Sequence, residues 1–292
     1  MTYRECYENG RTALAEAEIE EAALDARLLL EYVCKTNRND LLVHGERPVE
    51  AEKEAYYQGL IEQRSKRIPL QHLTGEQEFM GLTFKVNEHV LIPRQDTEIL
   101  VEEVLKNLHD GMKVLDMCTG SGCILVSLLH YSNDCQGVGV DISEEALQVA
   151  RDNAARLLFG EKLATGIEQD DISQNFISFV QSDLFENVTG KYEIIVSNPP
   201  YIRSAVIPTL MPEVKEHEPM QALDGMADGL FFYRRIVEES KNYLTGGGML
   251  YFEIGHDQAA EVSELMQNAG FSEINVVQDF AGLDRVVYGT MC

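Results

Sequence analysis

What the chain lacks narrows its function first. Its 292 residues contain no apolar run of about 18, the length a helix needs to cross a bilayer, so no membrane span is expected. The N-terminus, MTYRECYENG, has no basic stretch followed by an apolar one. No secretory signal is read there, and the cytoplasm is the expected compartment. Bases are scarce: 24 Lys and Arg stand against 49 Asp and Glu, for a net charge of −25. Such a surface repels phosphate backbones and anionic lipid. Broad nucleic-acid binding needs clustered Lys and Arg, so direct binding of nucleic acid is not expected. The six cysteines (Cys6, Cys34, Cys118, Cys123, Cys135 and Cys292) form no CxxC pair, and no His/Cys cluster has metal-ligand spacing. They read as free thiols, mostly small buried hydrophobes, and no metal is expected.

With 45% hydrophobic and 25% charged residues, the chain has the composition of a globular protein rather than a disordered or fibrous one. The acids are unevenly placed. Residues 1–75 hold 14 acids and 10 bases, residues 76–110 hold 8 and 3, and residues 111–292 hold 27 and 11. The first segment reads helical, with Leu24, Leu28 and Tyr32 at four-residue spacing, Leu29 and Val33 beside them, and Pro48 placed to open a further helix to about Arg67. A small helical bundle is expected over 1–73. Over 74–93 the pattern turns to apolar/polar alternation, with Gly81 and Asn87 supplying turns, so a β-hairpin linker is expected.

From Asp96 the pattern alternates strand and helix. Asp96 or Thr97 is placed to cap a helix carrying Leu100, Val104, Leu105 and Leu108. Strands are predicted over 113–118, 137–142, 179–183, 192–198, 248–255, 273–279 and 284–290, with helices over 123–130, 143–158, 229–244 and 257–269. Apolar strands alternating with helices imply a parallel sheet covered on both faces, and the last two strands, with no helix between them, imply a terminal antiparallel hairpin. The expected fold is α/β over 94–292, of the class I methyltransferase type. Residues 160–176 are polar and acidic and read as a surface excursion. Phe231, Phe232 and Tyr233 are expected to fill core. His72, His217 and His256 are scattered and are read as buried or surface residues rather than ligands.

Three strand ends carry candidate chemistry. The first runs Asp116-Met117-Cys118-Thr119-Gly120-Ser121-Gly122 into a helix. Glycines there let a ligand approach the backbone, and the helix start offers free N–H groups and positive partial charge. No Lys follows, so this is not a phosphate-binding P-loop, and the spacing is not GxGxxG. A carboxylate, such as the methionine part of S-adenosylmethionine, fits; a plain tight turn is the alternative. The second strand ends at Asp141, followed by Ile142, where an acid can accept both ribose hydroxyls or serve as a helix cap. The third ends at Asp183-Leu184, suited to an adenine amino group and its ring, or else a simple loop acid.

Asn198-Pro199-Pro200-Tyr201 closes the fourth strand. Two prolines remove two donors, so carbonyls face outward without competing N–H groups. The Asn198 amide oxygen and the Pro199 carbonyl can then grip a planar NH2 group, with Tyr201 packed against it. Such a nitrogen is weakly nucleophilic, and orientation is what a site can add. Its hydrogen bonds strengthen as positive charge grows on it. No general base is identifiable. A rigid Pro-Pro turn is the alternative. Glu253, at the end of the fifth strand, reads as a structural acceptor rather than a catalytic group.

LDMCTGSG, VDIS, SDLFE and VSNPPYI, in this order, resemble the HemK-type release-factor glutamine methyltransferases. So do IPRQDTEILVE (92–102), HEPMQALDG–ADGL (217–230), GGGMLYFEIGHDQ (246–258) and DFAGLDRVVYG (279–289). The resemblance covers essentially residues 68–292, and the helical N-terminal segment matches the family's arrangement. It implies S-adenosylmethionine-dependent N5-methylation of the glutamine in the Gly-Gly-Gln loop of peptide chain release factors. S-adenosylhomocysteine would be the product. It implies that Asp116 and Cys118 to Gly122 hold the cofactor, Asp141 and Ile142 its ribose, and Asp183 and Leu184 its adenine. Asn198 to Tyr201 would hold the glutamine, with Asn198 also beside the cofactor and Arg94 near the peptide. The N-terminal bundle would dock the release factor, with the enzyme a monomer. Two departures stand out. Cys118 occupies the first glycine position of D-x-G-x-G-x-G, so it must take a negative φ or carry strain. The 160–176 segment is longer than the family usually has. A nucleic-acid amino methyltransferase, which shares the Asn-Pro-Pro-Tyr logic, is the alternative; it needs a flipped base and a basic groove. The −16 over residues 111–292 argues against it, as does the lack of a basic recognition domain.

Overall fold

The computed structural model describes residues 1–163 and 176–292. The excursion expected over 160–176 lies outside these residues except at its ends. Among the described residues no helix is long and apolar enough to cross a membrane. The chain divides into two compact units, one of Met1–Glu76 with Met211–His217 and one of Gln77–Leu210 with Glu218–Cys292.

The first unit is helical: α1 (Tyr3–Glu16), α2 (Ala22–Cys34), α3 (Arg38–Val43), α4 (Ala51–Ser65) and α5 (Leu70–Thr74). Thr2 starts α1 with a capping box: its hydroxyl accepts from the Glu5 N–H at 3.2 Å and its own N–H donates to Glu5 Oε2 at 2.8 Å. The buried face of α2 is Ala22, Ala26, Leu29, Leu30 and Val33, whereas Leu24 is exposed. The stripe read from Leu24, Leu28 and Tyr32 is therefore turned to the wrong side. Three consecutive leucines carry no phase, and the small Ala22 and Ala26 set the inward face. Pro48 opens no helix. It pairs with Thr2 in an isolated β-bridge, and α4 begins at Ala51. Arg64 is buried in this unit, its Nε on Asp25 at 2.7 Å and its Nη1 on Glu213 at 3.0 Å.

The second unit opens with a hairpin of β1 (Glu76–Phe79) and β2 (Leu82–Lys85), joined through Met80 and Gly81, both at positive φ. Helix α6 (Asp96–Leu105) leads into β3 (Lys113–Met117), α7 (Cys123–Tyr131), β4 (Gln136–Asp141), α8 (Glu144–Leu163), β5 (Ile177–Gln181) and β6 (Tyr192–Ser197). Then follow a helix over Phe231–Ser240, β7 (Leu244–Glu253), a helix over Ala259–Asn268, β8 (Phe271–Gln278) and β9 (Asp284–Met291). The sheet order is β5-β4-β3-β6-β7-β9-β8, with only β9 antiparallel to its neighbours. This is the expected seven-stranded α/β sheet with a terminal antiparallel hairpin. Alternate strand residues feed two cores. Val114, Ile194 and Val196 pack with Leu100, Val104 and Leu125, while Leu115, Ile195 and Leu250 pack with Tyr233, Ile236 and Val262.

Neither Asp96 nor Thr97 caps α6. Gln95 is its N-cap and makes no side-chain cap bond. The polar side chains of this turn are used across space instead: Asp96 pairs with Arg285 at 3.2 Å, and Glu98 accepts from the Met80 N–H at 2.6 Å. Of the three aromatics expected in the core, Tyr233 is fully buried, while Phe231 and Phe232 are only partly covered.

Candidate active site

Strand order decides where the motifs meet. Between β3 and β6 the chain direction of sheet growth reverses, and in such sheets the crevice beyond the carboxyl ends is where ligands sit. The strands are in register there, Met117 opposite Ser197, and the Ser197 hydroxyl donates to the Met117 carbonyl at 2.7 Å. The glycine turn after β3 and Asn-Pro-Pro-Tyr after β6 thus stand side by side, although about 80 residues separate them in sequence. A cavity of about 610 Å³ opens at this point, within the second unit. That is the size range of small-molecule and cofactor sites.

Cys118, Thr119, Gly120 and Ser121 line the cavity from the turn, Asp141 and Ile142 from the end of β4, and Asp183 and Leu184 from the loop after β5. Asn198 and Pro200 line it from the end of β6, and Arg94 from the segment before α6. Asp116, Gly122, Pro199 and Tyr201 belong to the same two segments and do not themselves line it. Phe232 and Thr97 line it too. Nothing in the sequence sets Phe232 apart as a site residue, whereas the family resemblance places the loop of Pro93-Arg94 and Asp96-Thr97-Glu98 near the cofactor and the peptide, with a helix-start motif as the alternative. The signal for Phe232 was an aromatic at the start of an amphipathic helix, which reads equally as core.

The turn is shaped to take a polar guest. Cys118 has φ +62°, the left-handed region, so the strained alternative is the one realised. The conformation costs a non-glycine residue about 1 kcal/mol. Gly120, at φ +55°, has no heavy atom within 4 Å of where a Cβ would stand, so its backbone is bare toward the cavity. Asp116 is fully buried; Oδ2 accepts from the Thr119 hydroxyl at 2.6 Å, and Oδ1 has no hydrogen-bond partner. Burial pushes its carboxyl up to about 7, against the Thr119 bond that holds it down. Ser121 Oγ is likewise buried and unpartnered. The bare Gly120 backbone and the Ser121 side chain, both on the cavity wall at the start of a helix, fit the charged amino-acid end of S-adenosylmethionine.

Asp141 is aimed by two backbone donors: Oδ1 accepts from Ser143 N at 3.0 Å and Oδ2 from Gly120 N at 2.9 Å. The helix cap itself falls to Ser143, whose hydroxyl accepts from Ala146 N at 3.1 Å. Each Asp141 oxygen keeps acceptor capacity for a diol. Burial raises its carboxyl, and the backbone N–H groups work against that rise. Asp183 is less free than its sequence suggests, because Oδ1 pairs with Arg235 at 2.8 Å; Oδ2 is left to face a guest. Leu184, at φ +49°, is turned into the wall.

Asn198 donates Nδ2 to the Thr97 hydroxyl at 3.4 Å. The Tyr201 hydroxyl donates to Glu253 Oε1 at 3.3 Å, and the Tyr201 carbonyl accepts from Gln258 Nε2 at 3.1 Å. Burial raises both the Tyr201 hydroxyl and the Glu253 carboxyl above their ordinary values. Arg94 reaches Glu218 at 2.6 Å.

Residues 5–75 match the family model of the PrmC N-terminal domain, and residues 94–211 match that of the methyltransferase small domain. The chain is 42% identical to the release factor glutamine methyltransferase of Clostridium acetobutylicum, over 94% of each chain. It is 40% identical to the one of Geobacter sulfurreducens, over 99% of this chain and 96% of that one. Among solved structures, a methyltransferase from Pyrococcus furiosus shares the fold at a TM-score of 0.51 and 17% identity, covering 78% of this chain and 98% of that one.

Proposed function

We propose that this chain, which belongs to the release factor glutamine methyltransferase family, transfers a methyl group from S-adenosylmethionine to the side-chain nitrogen of the glutamine in the Gly-Gly-Gln loop of a peptide chain release factor. It acts as a cytoplasmic monomer, with the N-terminal helical bundle (1–73) docking the substrate protein, the hairpin segment (74–93) linking, and 94–292 catalysing. The observation that carries this reading is one cavity with the glycine turn on one side and Asn198 on the other.

S-adenosylmethionine, when bound, supplies the methyl group on an electron-poor sulfonium and leaves as S-adenosylhomocysteine. Cys118 to Gly122 would hold its amino-acid end over Asp116, Asp141 with Ile142 its ribose, and Asp183 Oδ2 with Leu184 its adenine. Asn198 Oδ1 and the Pro199 carbonyl would accept the two protons of the glutamine NH2, and Pro200, Tyr201 and Arg94 would bound its path. The two acceptors hold the nitrogen in one orientation and bind it more tightly as it becomes positive, which favours the transition state over the ground state. The N–C bond forms as the S–C bond breaks, and the surplus proton on nitrogen is then lost to water.

Transfer to adenine or cytosine in nucleic acid is the competing reading, disfavoured by the net charge of −25. The two separate when the protein is given methyl-labelled S-adenosylmethionine with a release factor and, in parallel, with bulk DNA or RNA. Label in the release factor is expected; label only in nucleic acid overturns the proposal. Asn198→Ala is expected to abolish transfer while the circular dichroism spectrum stays that of the parent. Undiminished turnover in that variant refutes the role given to Asn198.

A further inference from the structure

We propose that Met226 is a specificity-determining residue, a side chain at the mouth of the cavity that admits the target glutamine only behind a residue as bare as glycine. The inference rests on the glutamine reading above and adds to it a physical cause for the Gly-Gly-Gln context.

Met226 has φ +70°, in the left-handed region that glycine enters freely and a side chain enters only at a cost. Among the described residues nine non-glycine residues share that region, and three of them, Cys118, Leu184 and Met226, line the cavity. Cys118 and Leu184 belong to the wall assigned above to the cofactor; Met226 does not. Such conformations persist where the surroundings over-determine them, and they gather at ligand sites. Three hydrogen bonds do this for Met226. Its N–H donates to Asp224 Oδ1 at 2.8 Å, its carbonyl accepts from the Ser204 N–H at 3.0 Å, and the Ser204 hydroxyl donates to the same Asp224 oxygen at 2.7 Å. The strain is built in, and a glycine here would be free of it. The methionine side chain is exposed, at 43%, so it adds little to any core. What it meets lies in the cavity.

Topology places it at the substrate end. Asp224 pairs with Ile202 in an isolated parallel bridge; the Ile202 N–H donates to the Leu223 carbonyl at 3.0 Å, and the Gly225 N–H donates to the Ile202 carbonyl at 2.8 Å. Residues 223–226 thus run alongside residues 201–204, directly after Asn198 and the two prolines. Asp141 and Asp183 come instead from β4 and the loop after β5, on the other side of β3. A glutamine has two methylenes between its main chain and its amide. With the amide on Asn198 Oδ1 and the Pro199 carbonyl, its main chain stays at the mouth, where Met226 and the exposed Met220 stand. A Cβ on the residue before it has to displace the Met226 side chain, whereas a glycine leaves room. The unbranched thioether packs on the bare peptide that enters instead.

The test uses the full chain and two substrates: a release factor, and the same factor with alanine in place of the glycine before the target glutamine. kcat/KM is read from methyl label for the parent enzyme, Met226→Gly and Met226→Ala. The parent enzyme should prefer the glycine form by about tenfold or more, the scale of one extra methyl group in a closed site. Met226→Gly should accept the two forms within about threefold of each other, with Met226→Ala between it and the parent. Affinity for S-adenosylhomocysteine, measured by calorimetry, should stay within about twofold, which a collapsed site would not allow. The urea midpoint should rise in Met226→Gly, where the strain is relieved, and not in Met226→Ala, where the positive φ remains. A parent enzyme that labels both forms equally, or a Met226→Gly enzyme that keeps the parent's preference, overturns the inference while the glutamine reading stands. If Met226→Gly does not fold, an undiminished preference in Met226→Ala overturns it. No label in the glycine form from the parent enzyme overturns the glutamine reading and the inference together.

Discussion

Asp116 is held where a carboxylate is least at ease. It is fully buried, one oxygen accepts from the Thr119 hydroxyl, and burial pushes its carboxyl from 3.8 up to about 7 against the pull of Thr119 and the Leu125 backbone. Between those values the folded chain keeps a proton that the unfolded chain has lost. Folding is therefore penalised progressively as pH rises from about 4 to about 7, by at most about 1.4 kcal/mol per pH unit. Asp116→Asn cannot titrate. Urea unfolding of the ligand-free protein should show the parent losing stability relative to Asp116→Asn across that window. A stability difference between the two that stays constant from pH 4 to 7 shows that Asp116 does not carry this cost. Asp141 and Glu253 are raised by burial in the same direction, so the single substitution flattens the profile only in part.

At the scale of elements, the loop after β6 is braced by segments far along the chain. Gly225 donates its N–H to the Ile202 carbonyl at 2.8 Å, and a Cβ placed on it would stand 2.7 Å from the Tyr201 Cα and 2.9 Å from the Gly229 Cα. These neighbours are backbone and cannot rotate aside. Gln258, 2% exposed, ties the same place together by donating to the Tyr201 and Gly229 carbonyls while accepting from the Gly255 N–H at 2.9 Å. Gly225→Ala should therefore displace Asn-Pro-Pro-Tyr, costing about 1–3 kcal/mol in stability and more than about tenfold in kcat. Gly246→Ala is the matched control. Gly246 has nothing within 4 Å of a Cβ and should behave as the parent in both unfolding and turnover. Equal behaviour of the two variants removes the bracing role. Asn153 does comparable work on the other side of the site. Fully buried in α8, it accepts from Lys85 N at 2.8 Å and donates to the Ser121 carbonyl at 3.0 Å, joining the end of the hairpin to the glycine turn.

For the whole molecule the governing quantity is charge. Asp141 and Asp183 line the cavity and are proposed to hold the cofactor, but they are two of 49 acids, and the rest act as a long-range field. A field of this sign disfavours free RNA and would steer a partner with basic surface. The rate constant for association with a release factor, measured by stopped flow, should fall as salt is added, by about tenfold or more from low to high ionic strength. A rate indifferent to salt sinks the steering idea and leaves the acids as a solubility feature.

Periodicity alone placed the seven strands within a few residues, because each is an apolar run bounded by turn chemistry. Chain order alone required the terminal hairpin, because no helix separates β8 from β9. The glycine turn, Asp141 and Asn198 were legible because each pairs a residue type of narrow chemical use with a strand end. What failed in the sequence failed for want of phase or of distance. Leu28, Leu29 and Leu30 do not say which side of α2 is inward, and Pro48 does not show that its partner is Thr2. Thr97 read as a cap because its nearest polar groups in sequence are backbone N–H groups, whereas folding brings Asn198 to 3.4 Å. Arg235, 52 residues from Asp183, takes one of its oxygens in the same way. Local pattern determines which elements form and which residues end them. Tertiary structure alone decides which polar side chain answers which, since hydrogen bonds act over about 3 Å and the sequence records no distances across space.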